Sequence, residues 1–387
     1  MCGRAMTHTI RASEPCELLA LVPYQLGFVP RDSLVVVGLR GPRRRVGMMI
    51  RTDLVDLADL VSGPQLARNL VAAAARDGAS SVVVVLYRER ALTDAEPLDA
   101  RAAAALEAVL DATGDSLEVR GVVAVGAATY HLVEPDGLLA DGRPLTDLES
   151  TAVGARMVFD GVAVLADRDD LGRLPVASAA HRRTAARAAR EHGGPPSEGH
   201  DGTRGGWRSR SLAEWRAALR AASQEAAQGR GLRARPTRWG RIGEALEDKR
   251  VRDAVLVTLV PGTGSVAERF CASDGREGVA EVGLAVQVIA DPEVAVAPDP
   301  AVLEPARAVL REVAAHRAGG SAPALALLGL TAWWSGHGAE ASVWTDRALE
   351  VDPSHALAGL VRAALDAGLA PGWVRRARVA ESQGLRG

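Results

Sequence analysis

Cysteine is scarce in this chain of 387 residues. Cys2, Cys16 and Cys271 are odd in number, far apart and include no CxxC pair. That excludes a disulfide framework and a cysteine zinc site. Lysine is nearly absent: Lys249 is the only one among 46 basic residues, so arginine carries the positive charge. With the Ala-rich helices, this reads as the codon signature of a GC-rich genome before it reads as function. No apolar run approaches the ~20 residues needed to span a bilayer; the longest near the C-terminus is 322–334. The opening Met-Cys-Gly-Arg-Ala lacks the apolar core of a signal peptide, and Met6 is the alternative start. A cytoplasmic location and no membrane partner are expected. The eight histidines are scattered without HExxH or i, i+4 pairs, and there is no GxSxG, so no metal and no cofactor are expected. A net charge of −2 argues against a protein wholly dedicated to nucleic acid.

What is present begins with two apolar strand segments, 33–39 and 46–50, separated by Arg-Gly-Pro-Arg-Arg-Arg. Gly, Pro and charge there predict a hairpin loop. A helix is expected before the hairpin, with Ser13 as N-cap and Pro23 as its end. After it, Leu54, Leu57 and Leu60 recur every third residue beside Asp53, Asp56 and Asp59, a helical stripe. Residues 65–76 continue as a helix. The all-apolar 81–87 reads as a strand covered on both faces. Residues 95–113 read as a helix, 119–132 as one or two strands, 134–145 as a loop, 150–159 as a helix and 162–165 as a short final strand. Residues 169–174 and 176–190 look helical. Strand and helix alternation led by a hairpin predicts an α/β fold with a mixed sheet flanked by helices in the N-terminal half.

Residues 191–206, EHGGPPSEGHDGTRGG, have no apolar period and read as a flexible linker. They hold His192 and His200. The division expected is an α/β domain over 1–190, the linker, and an all-helical part over 207–387 with one tetratricopeptide-like hairpin at 322–355. Only 279–289 is ambiguous between strand and helix.

The segments LVPYQLGFVPRDSLVVVGL (21–39), RVRD (250–253) and LLGLTAWWSGHGAEASVWTDRALEVDP (327–353) together make the chain resemble the actinobacterial domain-of-unknown-function family 4192. The resemblance covers nearly the whole chain. It implies an overall class and a cytoplasmic location, and it brings no activity, cofactor or catalytic residue. The Cys-Cys-Pro stretch frequent in such relatives reads His131-Leu132-Val133-Glu134-Pro135 here, so no cysteine role carries over.

Four features bear on function. In the C-terminal hairpin, Leu328-Gly329, Ala341 and Pro353 sit at tetratricopeptide spacings, while the pattern's aromatic positions fall on Leu325, Ala332 and Thr345. The hairpin is expected to pack on its own protein; the alternative is that it binds a protein partner, with Trp333, Trp334 and Trp344 as the candidate residues. Pro261-Gly262-Thr263-Gly264-Ser265 lacks the Lys-Ser/Thr ending of a phosphate loop and reads as a plain connection. Asp32, Arg51, Asp53, Tyr130 and His131 lie at strand ends, where α/β sheets bind ligands. They could form an acid–base site, or serve as turn and cap residues. Finally, residues 204–241 hold ten arginines against Glu214 and Glu225, interleaved with Trp207, Trp215 and Trp239. That mixture can bind nucleic acid; internal docking with arginine stems on apolar surface is the expectation.

The leading expectation is therefore a non-enzymatic interaction or regulatory protein. An enzyme or small-molecule-binding domain at the strand ends is the alternative, and weak nucleic-acid binding through the arginine-rich segment is the third option.

Overall fold

The computed structural model describes residues 15–94, 98–114, 116–159, 162–196, 203–273 and 278–384. The expected N-cap Ser13 and both candidate starts lie outside these residues. Two compact units are present, Met1–Leu171 and Gly172–Gly387.

The first unit runs α1 (Pro15–Leu26), β1 (Ser33–Arg40), β2 (Arg45–Asp53), α2 (Leu54–Leu57), α3 (Gly63–Arg76), β3 (Ala79–Tyr87), α4 (Ala100–Thr113), β4 (Glu118–Val125), β5 (Thr129–Leu132), β6 (Arg143–Pro144), α5 (Thr146–Glu149) and α6 (Ala152–Phe159). Its sheet has six strands in the order β2-β1-β3-β4-β5-β6. Only β3 and β4 are parallel, joined through α4; every other pair is antiparallel. The mixed sheet expected from the leading hairpin is present. Strand parity divides its residues. Leu34, Val36, Val82, Val84, Leu86 and Ala124 pack with buried residues of α2, α3 and α4. Val35, Val37 and Val85, on the opposite face, are also wholly buried, which is why β1 and β3 read as continuous apolar runs.

Four expectations are corrected up to residue 174. Pro23 does not end α1 but lies inside it. The missing proline N–H costs one helical hydrogen bond; burial of Leu18, Leu19, Leu21, Val22 and Leu26 on both sides of Pro23 holds the helix together. It ends at Gly27, whose φ of +83° suits glycine and whose amide donates to the Pro23 carbonyl at 2.8 Å. The leucine stripe also stops early: Leu54 and Leu57 are buried, but Leu60 is 91% exposed. The Asp59 carboxylate accepts from the Val61 and Ser62 amides at 3.0 and 2.7 Å, a local turn that competes with helix. The chain then folds back so tightly that a Cβ on Gly63 would lie 2.2 Å from the Leu57 carbonyl oxygen. Residues 162–165 form no strand; Leu165 makes a single bridge to Phe28. Likewise 169–174 reduces to a 3₁₀ turn, Arg168–Gly172.

The second unit is helical: α7 (Ala179–His192), α8 (Thr203–Ala227), α9 (Pro236–Ala245), α10 (Lys249–Val257), α11 (Val266–Ala272), α12 (Val279–Ala290), α13 (Pro300–His316), α14 (Ala322–Trp334), α15 (Gly338–Val351), α16 (Ala356–Asp366) and α17 (Gly372–Gly384). The ambiguous 279–289 is helix. Of the expected linker, 191–192 and 203–206 belong to helices, 193–196 are irregular, and 197–202 lie outside the described residues. His192 is not adrift: its Nε2 meets Ser211 Oγ at 2.9 Å, and Trp207 Nε1 donates to its carbonyl at 3.3 Å.

All thirteen residues of α14 are buried, as in a helix surrounded by others. Helix α15 packs against it closely, because a Cβ on Gly329 would come within 2.5 Å of Thr345 Oγ1. Trp333, Trp334 and Trp344 are core residues, at most 6% exposed. Their indole N–H groups donate to the Leu369 and Val296 carbonyls and to Glu340, as buried indoles require. The three rings are turned inward, as in a hairpin packed on its own protein. Among the described residues no helix is long and apolar enough to cross a membrane.

Candidate functional site

The arginine-rich segment is largely occupied within its own unit. Trp207, Trp215 and Trp239 are buried. Arg208 forks onto Asp248 at 2.9–3.2 Å, Arg216 reaches Glu268 at 2.6 Å, and Arg238 and Arg241 reach Glu214 at 3.0 and 3.4 Å. Glu225 accepts from Arg235 at 2.6 Å and from the Arg233 amide at 2.9 Å, which holds its carboxyl down to about 2. The glycine-rich 261–265 is a connection between α10 and α11, with Gly262 and Gly264 at positive φ.

The strand-end residues form the more distinctive arrangement. Cross-strand pairing places one row over the whole sheet: Asp53, Ser33, Tyr87, Val125, Tyr130 and Arg143 are consecutive partners from β2 to β6. Paired residues share a face. The next row runs Thr52, Leu34, Leu86, Ala124, His131 and faces the other way. The edge therefore brings Arg51, Asp53 and Tyr130 onto one face and puts His131 on the opposite one. The five candidates do not form one acid–base site.

On the first face, Arg51 Nη2 holds Asp53 at 2.6 Å and the Arg31 carbonyl at 3.3 Å, and its guanidinium stands 6.0 Å over Phe28. Asp53 occupies the N-cap position of α2 without a capping bond, because its carboxylate turns to Arg51 instead. Ser33 is wholly buried between Asp53 and Tyr87. Burial pushes the Tyr87 phenol well above its ordinary value. At the rim, Arg88 bridges Asp32 at 2.8 Å and Asp99 at 2.5 Å. Burial works against the Asp99 carboxylate, but the Ala102 amide and the Arg88 and Arg90 guanidiniums outweigh it and hold its pKa below the usual value. Asp32 is one of two non-glycine residues with positive φ among the described residues, at +36°, a strained conformation. The Leu54 amide, donating to the Asp32 carbonyl at 3.0 Å, fixes it.

Three donors at this edge have no acceptor: Ser33 Oγ, Arg51 Nε and Arg88 Nε are buried and unpartnered. Each such group costs about 1–3 kcal/mol. Ser33 and Arg51 lie on the same face of adjacent strands. Sequence reading named Arg51 and missed Ser33 and Arg88; the register of the hairpin was the signal that would have placed Ser33 in the row.

On the second face, His131 is 1% exposed. Its Nδ1 lies 2.9 Å from the Ala140 carbonyl and 3.4 Å from Asp94 Oδ1, and its Nε2 lies 2.8 Å from Thr129 Oγ1. Asp94 also accepts the Gly142 amide at 2.7 Å. Among the described residues no group of three or more His, Cys, Asp or Glu could hold a metal ion.

A six-stranded mixed sheet with an ionised edge, followed by a helical unit, defines the class as an α/β domain joined to an all-helical one. The model of the family described as Domain of unknown function (DUF4192) matches residues 15–372, and the chain belongs to that family. No curated protein and no solved structure matches the chain. The family's description assigns no activity, so the function is unknown and a functional reading rests on geometry.

Proposed function

We propose that the N-terminal unit binds a small oxyanion, a phosphate or carboxylate group, at the sheet edge formed by the ends of β2 and β3 and the start of β1. The observation that carries this reading is the pair of buried donors without acceptors on one face of adjacent strands, Ser33 Oγ and Arg51 Nε, with Arg88 Nε a third at the same end of the sheet. Donors without acceptors favour a ligand rich in acceptor oxygens. Guanidiniums favour a planar or tetrahedral oxyanion among such ligands. The strained Asp32 beside them supports the reading, since strain gathers where a site is held in a set geometry. A partner-binding role for the helical hairpin at 322–355 has less support, because its tryptophans are spent internally.

The test is differential scanning calorimetry of the full chain with inorganic phosphate and a series of small carboxylates. All seven tryptophans, at 207, 215, 239, 333, 334, 344 and 373, lie in the second unit. Tryptophan fluorescence therefore reports that unit as an internal control. A ligand at a hundred times its Kd stabilises by about 2.7 kcal/mol, or about 5–10 °C for a unit of this size. Ser33→Ala should leave the ligand-free transition within about 1 kcal/mol, and both it and Arg51→Gln should shrink the shift. An ordered water is the competing occupant of these donors. It leaves the first unit's transition indifferent to every anion, and that result overturns the reading.

A further inference from the structure

We propose that Thr129, His131 and Asp94 form an acyl-transfer triad at the start of β5, with the Thr129 hydroxyl as nucleophile toward an ester or thioester carbonyl. This does not rest on the oxyanion reading, because none of the three is among the orphaned donors.

The Ala140 carbonyl, 2.9 Å from His131 Nδ1, can only accept. Nδ1 therefore carries the ring proton, and Nε2 carries a lone pair. Thr129 Oγ1, 2.8 Å from Nε2, then has to donate. A hydroxyl donating to the free lone pair of a histidine is a nucleophile paired with its general base. Asp94 Oδ1 stands 3.4 Å from Nδ1. It is held there by the Gly142 amide at 2.7 Å and can stabilise the imidazolium that forms. The ring has no slack: a Cβ on Gly142 would lie 2.5 Å from His131 Cε1. Burial also differs in the useful direction. His131 is sealed at 1% exposure, whereas Thr129 is partly exposed and follows the exposed Ala127 and Ala128. The nucleophile therefore lies toward the surface while the ring that serves as its base is packed inside.

The step balances as follows. Thr129 Oγ bonds to the carbonyl carbon as its proton passes to His131 Nε2. The tetrahedral intermediate then collapses, the bond to the leaving alcohol or thiol breaks, and the His131 proton goes to that leaving group. Water repeats both stages on the acyl-threonine, releasing a carboxylic acid and restoring Thr129.

The test exposes the full chain to p-nitrophenyl acetate, and separately to a fluorophosphonate, and follows nitrophenol release and intact mass. The expected result is one adduct per chain, mapped to Thr129. His131→Gln should slow acylation about 10²–10⁴-fold, the usual scale of a general base. Asp94→Asn should slow it by a smaller factor, Thr129→Val should abolish it and Thr129→Ser should retain it. Because His131 is buried, His131→Gln can fail to fold. Asp94→Asn, whose carboxylate is 62% exposed, then carries the test. Absence of an adduct on Thr129 in the folded wild type overturns the proposal. So does an adduct rate unchanged in Asp94→Asn, which is what a purely structural histidine produces.

Discussion

Two glycines three residues apart on α9 allow one chemical change to be tried with opposite expected outcomes. Helix α9 packs against α7, and a Cβ built on Gly240 would lie 2.0 Å from the Ala185 carbonyl oxygen and 2.7 Å from its carbonyl carbon. Both neighbours are backbone, so no side chain can swing aside. With contact distances of about 3.5 Å, Gly240→Ala forces the helices apart by more than about an ångström. On Gly243 the nearest atom is Val313 Cγ1 at 3.4 Å, an ordinary contact. Alanine gains about 1 kcal/mol over glycine in a helix at either position. Gly243→Ala keeps that gain. At Gly240 it is set against overpacking of about 1–3 kcal/mol, at the upper end because backbone meets backbone, for a net loss of about 1–2 kcal/mol. The two variants should therefore differ by about 2–3 kcal/mol, or about 5–10 °C in Tm for a unit of this size. Tryptophan fluorescence during thermal unfolding reads the difference directly, since every tryptophan is in this unit. Equal stability of the two variants refutes the close approach of α7 and α9 and, with it, the placement of α7 in the helical unit.

Two further outcomes follow from buried charges in the same unit. Glu340 accepts from Trp344 Nε1 at 3.1 Å and from Arg311 at 3.0 Å, and it pairs with Arg307, whose side chain is 4% exposed. Glu340→Gln leaves that guanidinium without its buried counter-charge and should cost about 3 kcal/mol in urea unfolding. Glu225 titrates at about 2 instead of 4.5, because Arg235 and the Arg233 amide bond its charged form. Its contribution is thus complete above pH 4.5 and is lost as pH falls toward 2. Glu225→Gln should flatten that limb of the acid-unfolding curve, and an unchanged limb would remove Glu225 from the account.

Much of the fold was legible because its signals were local. The strand at 81–87 is apolar throughout because both faces of β3 are covered, and the turn at 41–44 carries Gly, Pro and charge. The misses came from interactions that a linear pattern does not contain. Pro23 reads as a helix end until burial on both sides of it is known. Leu60 continues a three-residue stripe, yet the Asp59 carboxylate closes a turn that the stripe cannot foretell. The tryptophans of the hairpin carry two readings in the sequence, core and surface anchor, because a short apolar helix does not announce how many neighbours enclose it. Trp333 and Trp334 found carbonyls from other segments, Trp344 found the Glu340 carboxylate one turn back on its own helix, and Trp207 found a carbonyl on His192, in a stretch whose composition reads as loose linker.

The candidate site failed as a set for a reason that strand geometry makes definite. Tyr130 and His131 are adjacent in sequence, and adjacency in a strand means opposite faces. Whether either could join Asp53 depended on registers across four strand pairs, and those registers are long-range quantities. Val125 pairs with Tyr130, Tyr87 with Val125, and Ser33 with both Tyr87 and Asp53, so Tyr130 falls in with Asp53 and His131 falls out. The same parity returns a gain. Residues two apart share a face, so Thr129 is the neighbour that His131 must meet. The sequence Thr-Tyr-His thus separates two chemistries: Tyr130 lines the face with the unpartnered Ser33 and Arg51 donors, while Thr129 and His131 meet each other on the face toward Asp94. A single substitution on one face therefore leaves the other intact, and the oxyanion and acylation assays can fail or succeed independently of each other.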